Sequence, residues 1–505
     1  MTEITEITSL LQNPSEADLE LISRAFDFSQ KAHGDQKRLS GEPYFNHCVA
    51  TAKNIAELGM SAATISAGLL HDILEDTPTT ATELEKNFGK EILFLVEGVT
   101  KLGKIKYRGT DRYNESLRKL FVAMSQDIRV LIIKLCDRLH NMETLQFLPT
   151  EKQKRIASET LEIYAPIAHR LGIRKIHRGL EDLSFQYVYP DEYKNIKALV
   201  EQKEGAEMES LEKFNKSIKK ELAKNGVINF HTEYRIKSLY SLYKKLKRFE
   251  MNLDKIYDLS AMRIIVPTVT DCYKVLGIIH GSWIPLPDRI KDYIAFPKPN
   301  GYQSIHTTIF TGEGGIVEVQ IRTNEMDREA EYGITSHIIY KESQSGNKKR
   351  KINQNLSWVR KILPVEENWN ESGQKKTSLK LDDIPEWIKE MVEYQKSAGE
   401  EFLDDVKSDF FEERIFVFTP KGDAIDLPVG SSVIDFAYAI HSDIGDHMSG
   451  AEINGKFAAI YSTLKNGDRV EIITKKSAKP SYKWLEFCKT TMAKKHIRNF
   501  LEDKK

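Results

Sequence analysis

The spacing of apolar residues divides the chain into regions with different secondary structure. From Glu16 to about Tyr187 these residues recur every three or four positions, as in ATISAGLLHDILED and IRVLIIKLCDRLHNM, which predicts amphipathic helices. Turn-forming pairs such as Gly34-Asp35 and Thr77-Pro78 separate the helical segments. We therefore expect residues 1–190 to form an all-α domain.

The pattern changes in the middle of the chain. The β-rich runs AMRIIVP, HTTIF and GIVEVQIR alternate with helical stretches, which predicts a mixed α/β domain over residues 191–343. Residues 344–408 are polar and charged around a short helical piece and are expected to be a helical connector. A small β-type domain is expected over 409–476, since RIFVFTPKGDAIDLP predicts a hairpin. Residues 477–505 are interpreted as the start of a helical region.

The composition fits a multidomain globular protein. The 505 residues, 40% of them hydrophobic and 29% charged, favour about three domains. Lys plus Arg and Asp plus Glu both number 74, so any polyanion site must be local. The four cysteines form no CxxC spacing and are expected to be reduced. The sequence predicts neither a signal peptide nor a membrane span, so we expect a cytoplasmic protein without a membrane partner.

Four polar residues interrupt the apolar pattern of the first domain. His71 and Asp72 lie in a predicted helix, and Glu75 and Asp76 follow one turn later on the same face. An isolated His-Asp pair is usually an ordinary exposed or capped helix end. Burying this polar face would be costly unless something binds to it.

Two other segments favour a binding site over an ordinary helix end. His47 follows PYFN on another predicted helix, and Asp137 lies in the apolar helix IIKLCDRLHNM, where an unpaired carboxylate would be costly. The segments AHGDQKRLSGEPYFNH, GLLHDILEDT and KLCDRLHNMETL, in this order, resemble the hydrolase half of the long RelA/SpoT family. That half is a branch of the HD-domain phosphohydrolases.

The resemblance implies a metal-dependent hydrolase of ppGpp and pppGpp that uses Mn²⁺. The implied metal ligands are His47, His71, Asp72 and Asp137. Glu75 and Asp76, just outside this set, are implied to orient a metal-bound water and handle its proton. The residues implied to hold the guanosine nucleotide are Arg38, Ser40, Asn141 and Thr144. Leu39 departs from the family pattern, in which Lys is common at this position.

A second group of residues suits phosphates and a stacked base. The basic stretch YRIKSLYSLYKKLKRFE is, by itself, typical of a solvated face. The segment DRIKDYIAFPKPNGYQSIHTTIF adds Tyr302 and His306 among further basic residues. Asp258 and Glu318, each within or beside an apolar strand pattern, are candidate Mg²⁺ ligands. Together these segments look like the nucleotidyltransferase-like synthetase domain of the same family.

That family transfers the β,γ-diphosphate of ATP to the 3′-hydroxyl of GDP or GTP. The resemblance implies that Asp258 and Glu318 carry Mg²⁺, that Glu318 helps to deprotonate the hydroxyl and that Tyr302 stacks on guanine. The residues implied to bind ATP are Arg235, Lys237, Ser241, Lys245 and Arg263. Those implied to bind GDP or GTP besides Tyr302 are Lys291, Lys298, Asn300 and His306.

Several positions distinguish this synthetase half from its relatives. Tyr234 stands where the family has Gly before Arg-x-Lys, so we expect it either to obstruct ATP or to stack on adenine. The sequence TSHI at 335–338 replaces the usual AAHW. The basic segment DRIKD around Lys291 resembles the form typical of bifunctional members.

The segment from Arg414 to Thr474 resembles a TGS domain, which implies a small β-grasp fold. In this family the domain senses the acceptor end of uncharged tRNA on a stalled ribosome, and His441 matches the position near the tRNA end. Long family members continue into further domains, none of which fits after Thr474. We therefore expect the chain to be either naturally short or part of a longer protein.

These observations predict a bifunctional enzyme that makes and degrades (p)ppGpp in the stringent response. In one alternative, the enzyme mainly hydrolyses (p)ppGpp, and Tyr234 weakens its synthetase activity. The other makes the chain a tRNA or nucleotide sensor with degenerate catalytic domains.

Overall fold

The computed structural model describes the backbone of residues 4–11, 13–103, 127–236, 238–248, 260–287, 289–298, 302–311, 315–333, 335 and 414–502. Within these ranges, the side chains at 102–103, 202–208, 235–236, 248, 260, 414, 424 and 426 are outside the description. The chain divides into two compact units, Met1–Asp383 and Ile384–Lys505, and each is treated separately below.

The described part of the first domain consists of helices, as the apolar spacing predicts. A π-helical turn over Thr160–Tyr164 joins two of them, and Leu145–Phe147 form a 3₁₀ turn. The helices are α1 Thr5–Thr8, α2 Glu16–His33, α3 Phe45–Glu57, α4 Ala62–Leu69, α5 Ile73–Asp76, α6 Ala81–Gly103, α7 Ile128–Glu143, α8 Thr150–Glu159, α9 Ala165–Arg170 and α10 Arg174–Val188.

The prediction that one helix carries all four polar residues is wrong. The helix α4 ends at Leu69, and Leu70–Asp72 form a turn before the short helix α5. The turn lets His71 be fully buried while Glu75, four residues later, stays exposed. A continuous helix would hold these two side chains on the same face.

The predicted α/β domain contains a five-stranded sheet with strand order β1-β2-β5-β4-β3. The strands β2 and β5 are parallel, and the other pairs are antiparallel. The elements are the long helix α11 Pro190–Lys224, then β1 His231–Ile236, α12 Leu239–Arg248, β2 Ser260–Val266, α13 Val269–Ser282, β3 Lys291–Asp292, β4 Ile305–Phe310, β5 Ile316–Thr323 and α14 Asn324–Tyr332.

The two faces of this sheet differ because successive strand residues point to opposite sides. One face is apolar: Met262, Ile264, Val319 and Ile321 pack with residues of α11 and α13 in a buried core. The other face carries the polar residues of β2, β4 and β5. A polar binding site on this sheet therefore belongs to the second face.

The second unit is a small β domain with helices. The predicted hairpin is present as β6 paired with β7, and a separate antiparallel sheet has the order β10-β8-β9. The elements are β6 Arg414–Phe418, β7 Ala424–Pro428, α15 Val433–Ile440, α16 Ser442–Asp446, β8 Met448–Ile453, β9 Lys456–Ala458, β10 Val470–Thr474, a 3₁₀ turn Tyr482–Glu486 and α17 Thr491–Glu502.

The last helix belongs to the same core as this β domain. Ala493 and Ile497 of α17 are buried with the residues of α15. The buried Asp435 carboxylate accepts hydrogen bonds from the Lys489 and Thr490 backbone N–H groups and from the Thr490 hydroxyl. Residues after Thr474 thus complete the domain.

Among the helices described here, none is long and apolar enough to cross a bilayer.

Candidate active sites

The four predicted ligands of the hydrolase site converge from three parts of the helical domain. His47 lies on α3, His71 and Asp72 lie in the turn between α4 and α5, and Asp137 lies on α7. His47 Nε2 is 3.2 Å from Asp137 Oδ1 and 3.5 Å from Asp72 Oδ2, and His71 Nε2 is 3.1 Å from Asp72 Oδ2. One ligand atom each of His47, His71 and Asp137 lies within 4.8 Å of the others.

A divalent metal ion fits this arrangement. His71 Nδ1 donates a hydrogen bond to the Gly68 carbonyl at 2.8 Å, which directs Nε2 toward the carboxylates. That Nε2 atom is buried and makes no hydrogen bond within the described residues. Burial disfavours the charged form of His71, but Asp72 and Asp137 outweigh this effect and raise its pKa to about 9. Two imidazoles and two carboxylates crowded together in this way are a donor set for a cation.

Two further side chains hold the carboxylates in place, and neither was predicted from the sequence. The Tyr44 hydroxyl lies 2.8 Å from Asp72 Oδ2 and 2.7 Å from Asp76 Oδ2. Lys134 Nζ donates to Asp137 Oδ2 at 2.7 Å, and the pKa of Asp137 falls well below its usual value despite burial. Lys134 lies three residues before Asp137 on α7, a helical spacing visible in the sequence.

The residues predicted to hold a guanosine nucleotide meet beside this cluster. Arg38 Nη1 donates to Thr144 Oγ1 at 3.1 Å, and Arg38 Nη2 donates to Asn141 Oδ1. Ser40 lies in the tight turn after Arg38, where its hydroxyl accepts a 3.4 Å hydrogen bond from the Glu42 N–H. The turn therefore presents Arg38 to α7, whereas Ser40 is hydrogen-bonded within the turn itself.

His140 is a member of this group that the sequence reasoning missed. Its Nδ1 lies 2.8 Å from His47 Nδ1 and 3.2 Å from Arg38 Nη1. Burial, together with the neighbouring His47 and Arg38, lowers the pKa of His140 to about 3. A neutral His140 thus connects a predicted metal ligand to the predicted nucleotide site. Its position three residues after Asp137 was the available signal.

The polar face of the synthetase sheet brings together three predicted residues. The Tyr302 hydroxyl is 2.8 Å from His306 Nε2, and His306 Nδ1 is 3.0 Å from Glu318 Oε1. Gln320 Nε2 also donates to Glu318 Oε1 at 2.8 Å. Lys298 Nζ lies 5.3 Å from the centre of the Tyr302 ring. The backbone of Lys291 pairs with that of His306, which places it at the same sheet edge.

The predicted ATP residues are only partly described. Ser241 and Lys245 lie one turn apart on α12, where the Ser241 hydroxyl accepts from Ser238 Oγ at 2.8 Å. Arg263 on β2 is nearly buried against Glu233 and two acidic residues of α14. The other predicted synthetase residues lie outside the described part: Lys237, Asp258, Asn300 and the side chain of Arg235.

Tyr234 points away from this polar face. It pairs with Met262, whose side chain is in the apolar core, and its hydroxyl accepts from Asn215 Nδ2 of α11 at 2.9 Å. Its neighbour Glu233 points to the other side and contacts Arg263 at 2.9 Å. This geometry favours neither of the two expected effects of Tyr234 on ATP.

In the second unit, His441 begins the helix α16. Its Nδ1 accepts a hydrogen bond from the Asp443 N–H at 3.1 Å, so the imidazole caps the helix. The residue is exposed. His441 thus caps the helix through Nδ1. Its other ring nitrogen, Nε2, takes no part in this cap and belongs to an exposed side chain.

Comparison with known proteins places these sites in a family. The HD domain matches residues 25–174, the region found in RelA / SpoT proteins matches residues 234–345, and the TGS domain matches residues 415–474. The HD match and the cluster around His47, His71 and Asp137 together identify a site for a divalent metal ion.

Curated relatives extend over nearly the whole chain. The guanosine-3′,5′-bis(diphosphate) 3′-pyrophosphohydrolase of Aquifex aeolicus is 44% identical over 96% of this chain and 65% of its own length. The GTP pyrophosphokinase of Myxococcus xanthus is 43% identical over 96% of this chain and 61% of its own. The bifunctional (p)ppGpp synthase/hydrolase SpoT of Escherichia coli is 41% identical, with 97% and 66% covered.

The chain thus spans 65% and 61% of the length of the first two relatives. Among solved structures, the small alarmone synthetase 1 of Bacillus subtilis bound to its product pppGpp is 25% identical, covering 30% of this chain and 84% of that one, with a TM-score of 0.23. The three domain matches in this order, and 41–44% identity over at least 96% of the chain, show that the chain belongs to the RelA/SpoT family.

Proposed function

We propose that the helical domain hydrolyses ppGpp and pppGpp to pyrophosphate and GDP or GTP. The observation that carries the proposal is the convergence of His47, His71, Asp72 and Asp137 on one point. A bound divalent ion would lower the pKa of a water ligand and offset charge on the departing diphosphate. We propose Mn²⁺ because two imidazoles and two carboxylates suit a borderline-to-hard ion.

Residues around the ligands have distinct roles in this proposal. The Tyr44 hydroxyl lies between the Asp72 and Asp76 carboxylates and holds both in place with one shared proton. Glu75, exposed on α5, is the proton acceptor for the attacking water. Arg38, which Asn141 and Thr144 hold in place, supplies a guanidinium for the nucleotide phosphates.

This function is tested with purified protein and ppGpp. Mn²⁺ is expected to support pyrophosphate release, and a chelator is expected to stop it until Mn²⁺ is restored. Parallel reactions with Mg²⁺ test the choice of metal. Undiminished hydrolysis after complete metal removal, verified by elemental analysis, would refute the proposal.

We propose a second activity for the α/β domain, the transfer of the β,γ-diphosphate of ATP to GDP or GTP. The acceptor's 3′-oxygen forms a bond to the β-phosphorus, the bond from that phosphorus to the α,β-bridging oxygen breaks, and AMP leaves. The acceptor's proton passes to Glu318, whose contact with His306 and Gln320 supports a fixed orientation. Glu318 is also the proposed Mg²⁺ ligand within the described residues, and cations on this face offset phosphoryl charge.

We propose that the TGS domain contacts the acceptor end of uncharged tRNA on the ribosome. The domain match and the exposure of His441 support this assignment. Binding of uncharged tRNA to the chain and to the His441→Asn variant tests it, since Asn retains helix-capping ability. Equal tRNA affinities would remove His441 from the proposal. The nucleotide substrates and the four free thiols accord with a cytoplasmic location.

A further inference from the structure

The first unit contains a cluster of arginines where the hydrolase half meets the synthetase half. Arg174 and Arg178 come from the start of α10, whereas Arg263 and Arg322 come from the adjacent strands β2 and β5. Asp327 and Glu331 of α14 lie among them: Arg263 is 3.2 Å from Asp327 and 3.1 Å from Glu331. We call these four arginines the junction cluster.

The two halves touch closely at this point. Gly333, just after α14, has φ +54°, and a Cβ atom added to it would lie 2.3 Å from the backbone of Leu171 and Gly172. Backbone therefore packs on backbone between the halves. Arg174 lies two residues after Gly172, and its guanidinium carbon is 5.6 Å from the centre of the Tyr302 ring. A residue of the hydrolase half thus forms part of the wall around the predicted guanine-stacking residue.

The junction cluster packs four guanidinium groups close together. Asp327 and Glu331 each pair with both Arg263 and Arg322, and Glu233 contacts Arg263 from the more exposed side. Asp182 of α10 lies near Arg178. Burial and repulsion by Arg174 and Arg263 lower the pKa of Arg178 to about 10. Guanidinium groups crowded together in this way repel one another, and an anion bound among them would relieve that repulsion.

Several guanidinium groups of the cluster also have N–H groups without an acceptor in the described part of the chain. Arg322 is fully buried, and neither its Nε nor its Nη1 has a hydrogen-bond acceptor within the described residues. Arg174 Nη1, Arg178 Nη2 and Arg263 Nε are likewise buried without an acceptor there. If these arginines served only to hold the two halves together, their buried N–H groups would be expected to have acceptors. Unpaired guanidinium donors instead suit the oxygens of a phosphate group.

We propose that the hydrolase half completes the nucleotide pocket of the synthetase half, with Arg174 binding the polyphosphate of a nucleotide and Arg178 supporting it. This inference rests on the proposed diphosphate transfer. The neighbouring Tyr302 favours the acceptor, GDP or GTP, over ATP as the nucleotide. In this arrangement the transfer site is composite and requires the contact between the two halves.

Steady-state kinetics of Arg174 variants test the proposal. With ATP saturating, Arg174→Ala is expected to raise the KM for GDP by about tenfold or more, as expected for loss of a charge-assisted contact. Arg174→Lys keeps the positive charge but lacks the paired N–H donors of the guanidinium group, so its KM for GDP should lie between those of wild type and Arg174→Ala. A second series varies ATP at saturating GDP, and a rise confined to the KM for ATP would assign the polyphosphate to the donor.

Lys175→Ala is the matched control. It removes a positive charge from the next residue of the same helix, where Lys175 instead pairs with Glu57 of α3 at 2.7 Å. Its KM values for both nucleotides should equal those of wild type. Hydrolysis of ppGpp by the Arg174 variants, measured on the same preparations, reports whether the first unit is folded. If Arg174→Ala does not fold, the KM values of Arg174→Lys test the proposal.

The outcomes separate this inference from the proposed function. A wild-type protein that makes no (p)ppGpp would refute the transfer activity itself. Synthesis by wild type, with both KM values unchanged or lowered in folded Arg174 variants, would overturn the composite site alone. Lowered values would show that Arg174 shields Tyr302 from the nucleotide instead of binding it.

Discussion

Asp72 and Glu75 lie three residues apart but differ in burial and neighbours. Asp72 contacts His47, His71 and Tyr44, whereas Glu75 is exposed on α5. A ligand and a proton acceptor should respond differently to substitution, because only the ligand contributes to metal affinity.

We therefore expect Asp72→Ala to lose both bound Mn²⁺ and ppGpp hydrolysis. Glu75→Gln should retain the metal and lower kcat by about a hundredfold or more, the usual contribution of general base catalysis. Metal content and turnover are measured on the same samples, with the exposed Glu83→Gln on α6 as control. Wild-type hydrolysis by Asp72→Ala would be incompatible with the assigned ligand set.

Tyr234 shows how strand geometry corrects an argument from residue type. Its aromatic ring and its position before Arg235 suggested contact with ATP, but β1 directs it toward Asn215 and the apolar core. We expect Tyr234→Phe to leave the KM for ATP unchanged and to cost at most about 1 kcal/mol of stability through the lost hydrogen bond. A tenfold change in that KM, with the acceptor's KM constant, would return Tyr234 to the ATP site.

At the scale of elements, the periodicity of apolar residues predicted the type of secondary structure, but not where the chain turns or which elements contact each other. The apolar spacing identified α3, α7 and the strands β2, β4 and β5 of the sheet, but not β1 or β3. The alternation in VEVQIRT places Glu318, Gln320 and Arg322 on one face. The break at Leu70–Asp72 was missed because the turn itself contains no Gly or Pro, and the nearby Gly68 lies inside α4. The roles of Tyr44 and His140 were missed because they depend on contacts between separate helices.

The turn after α14 depends on a residue without a side chain. Gly333 combines a positive φ with backbone contact to Leu171 and Gly172. We expect Gly333→Ala to destabilise the first unit by about 1–3 kcal/mol, because the added Cβ strains the backbone and separates the two halves. Thermal unfolding measures this effect.

Gly277→Ala provides the control for that substitution. Gly277 lies inside α13, where an added Cβ would meet nothing within 4 Å, so the change should be neutral or stabilising by up to about 1 kcal/mol. Equal melting temperatures for wild type and Gly333→Ala would show that the contact between the halves is dispensable for stability.

At the scale of the whole molecule, the sequence predicted three domains and their order, and the domain matches agree with that order. The proposed composite pocket was not predictable in this way. Arg174 and Tyr302 are far apart in sequence, and only the packing of α10 against α14 brings them together. The helix α10 also lies against α7, which carries Asp137: a Cβ on Gly179 would be 2.8 Å from Leu139 Cδ1.

Because α10 contacts both α7 and α14, we expect the hydrolase and synthetase activities to be regulated reciprocally. Such regulation would also prevent a futile cycle that consumes ATP. Saturating the synthetase site with GDP and a non-transferable ATP analogue should lower the kcat of ppGpp hydrolysis severalfold, a typical magnitude for coupling between sites. In Tyr302→Ala, which should not bind the acceptor, the same nucleotides should have little effect. Hydrolysis that is insensitive to nucleotides in every condition would exclude coupling.

The central claim is that one chain carries two separate and opposed active sites. Its most direct test measures ppGpp hydrolysis with Mn²⁺ and (p)ppGpp synthesis from ATP and GDP with Mg²⁺, in wild type, Asp72→Ala and Glu318→Gln. We predict that wild type performs both reactions, that Asp72→Ala loses only hydrolysis and that Glu318→Gln loses only synthesis. Loss of both activities in either variant, while it remains folded, or absence of one activity from wild type in all conditions, would contradict the account.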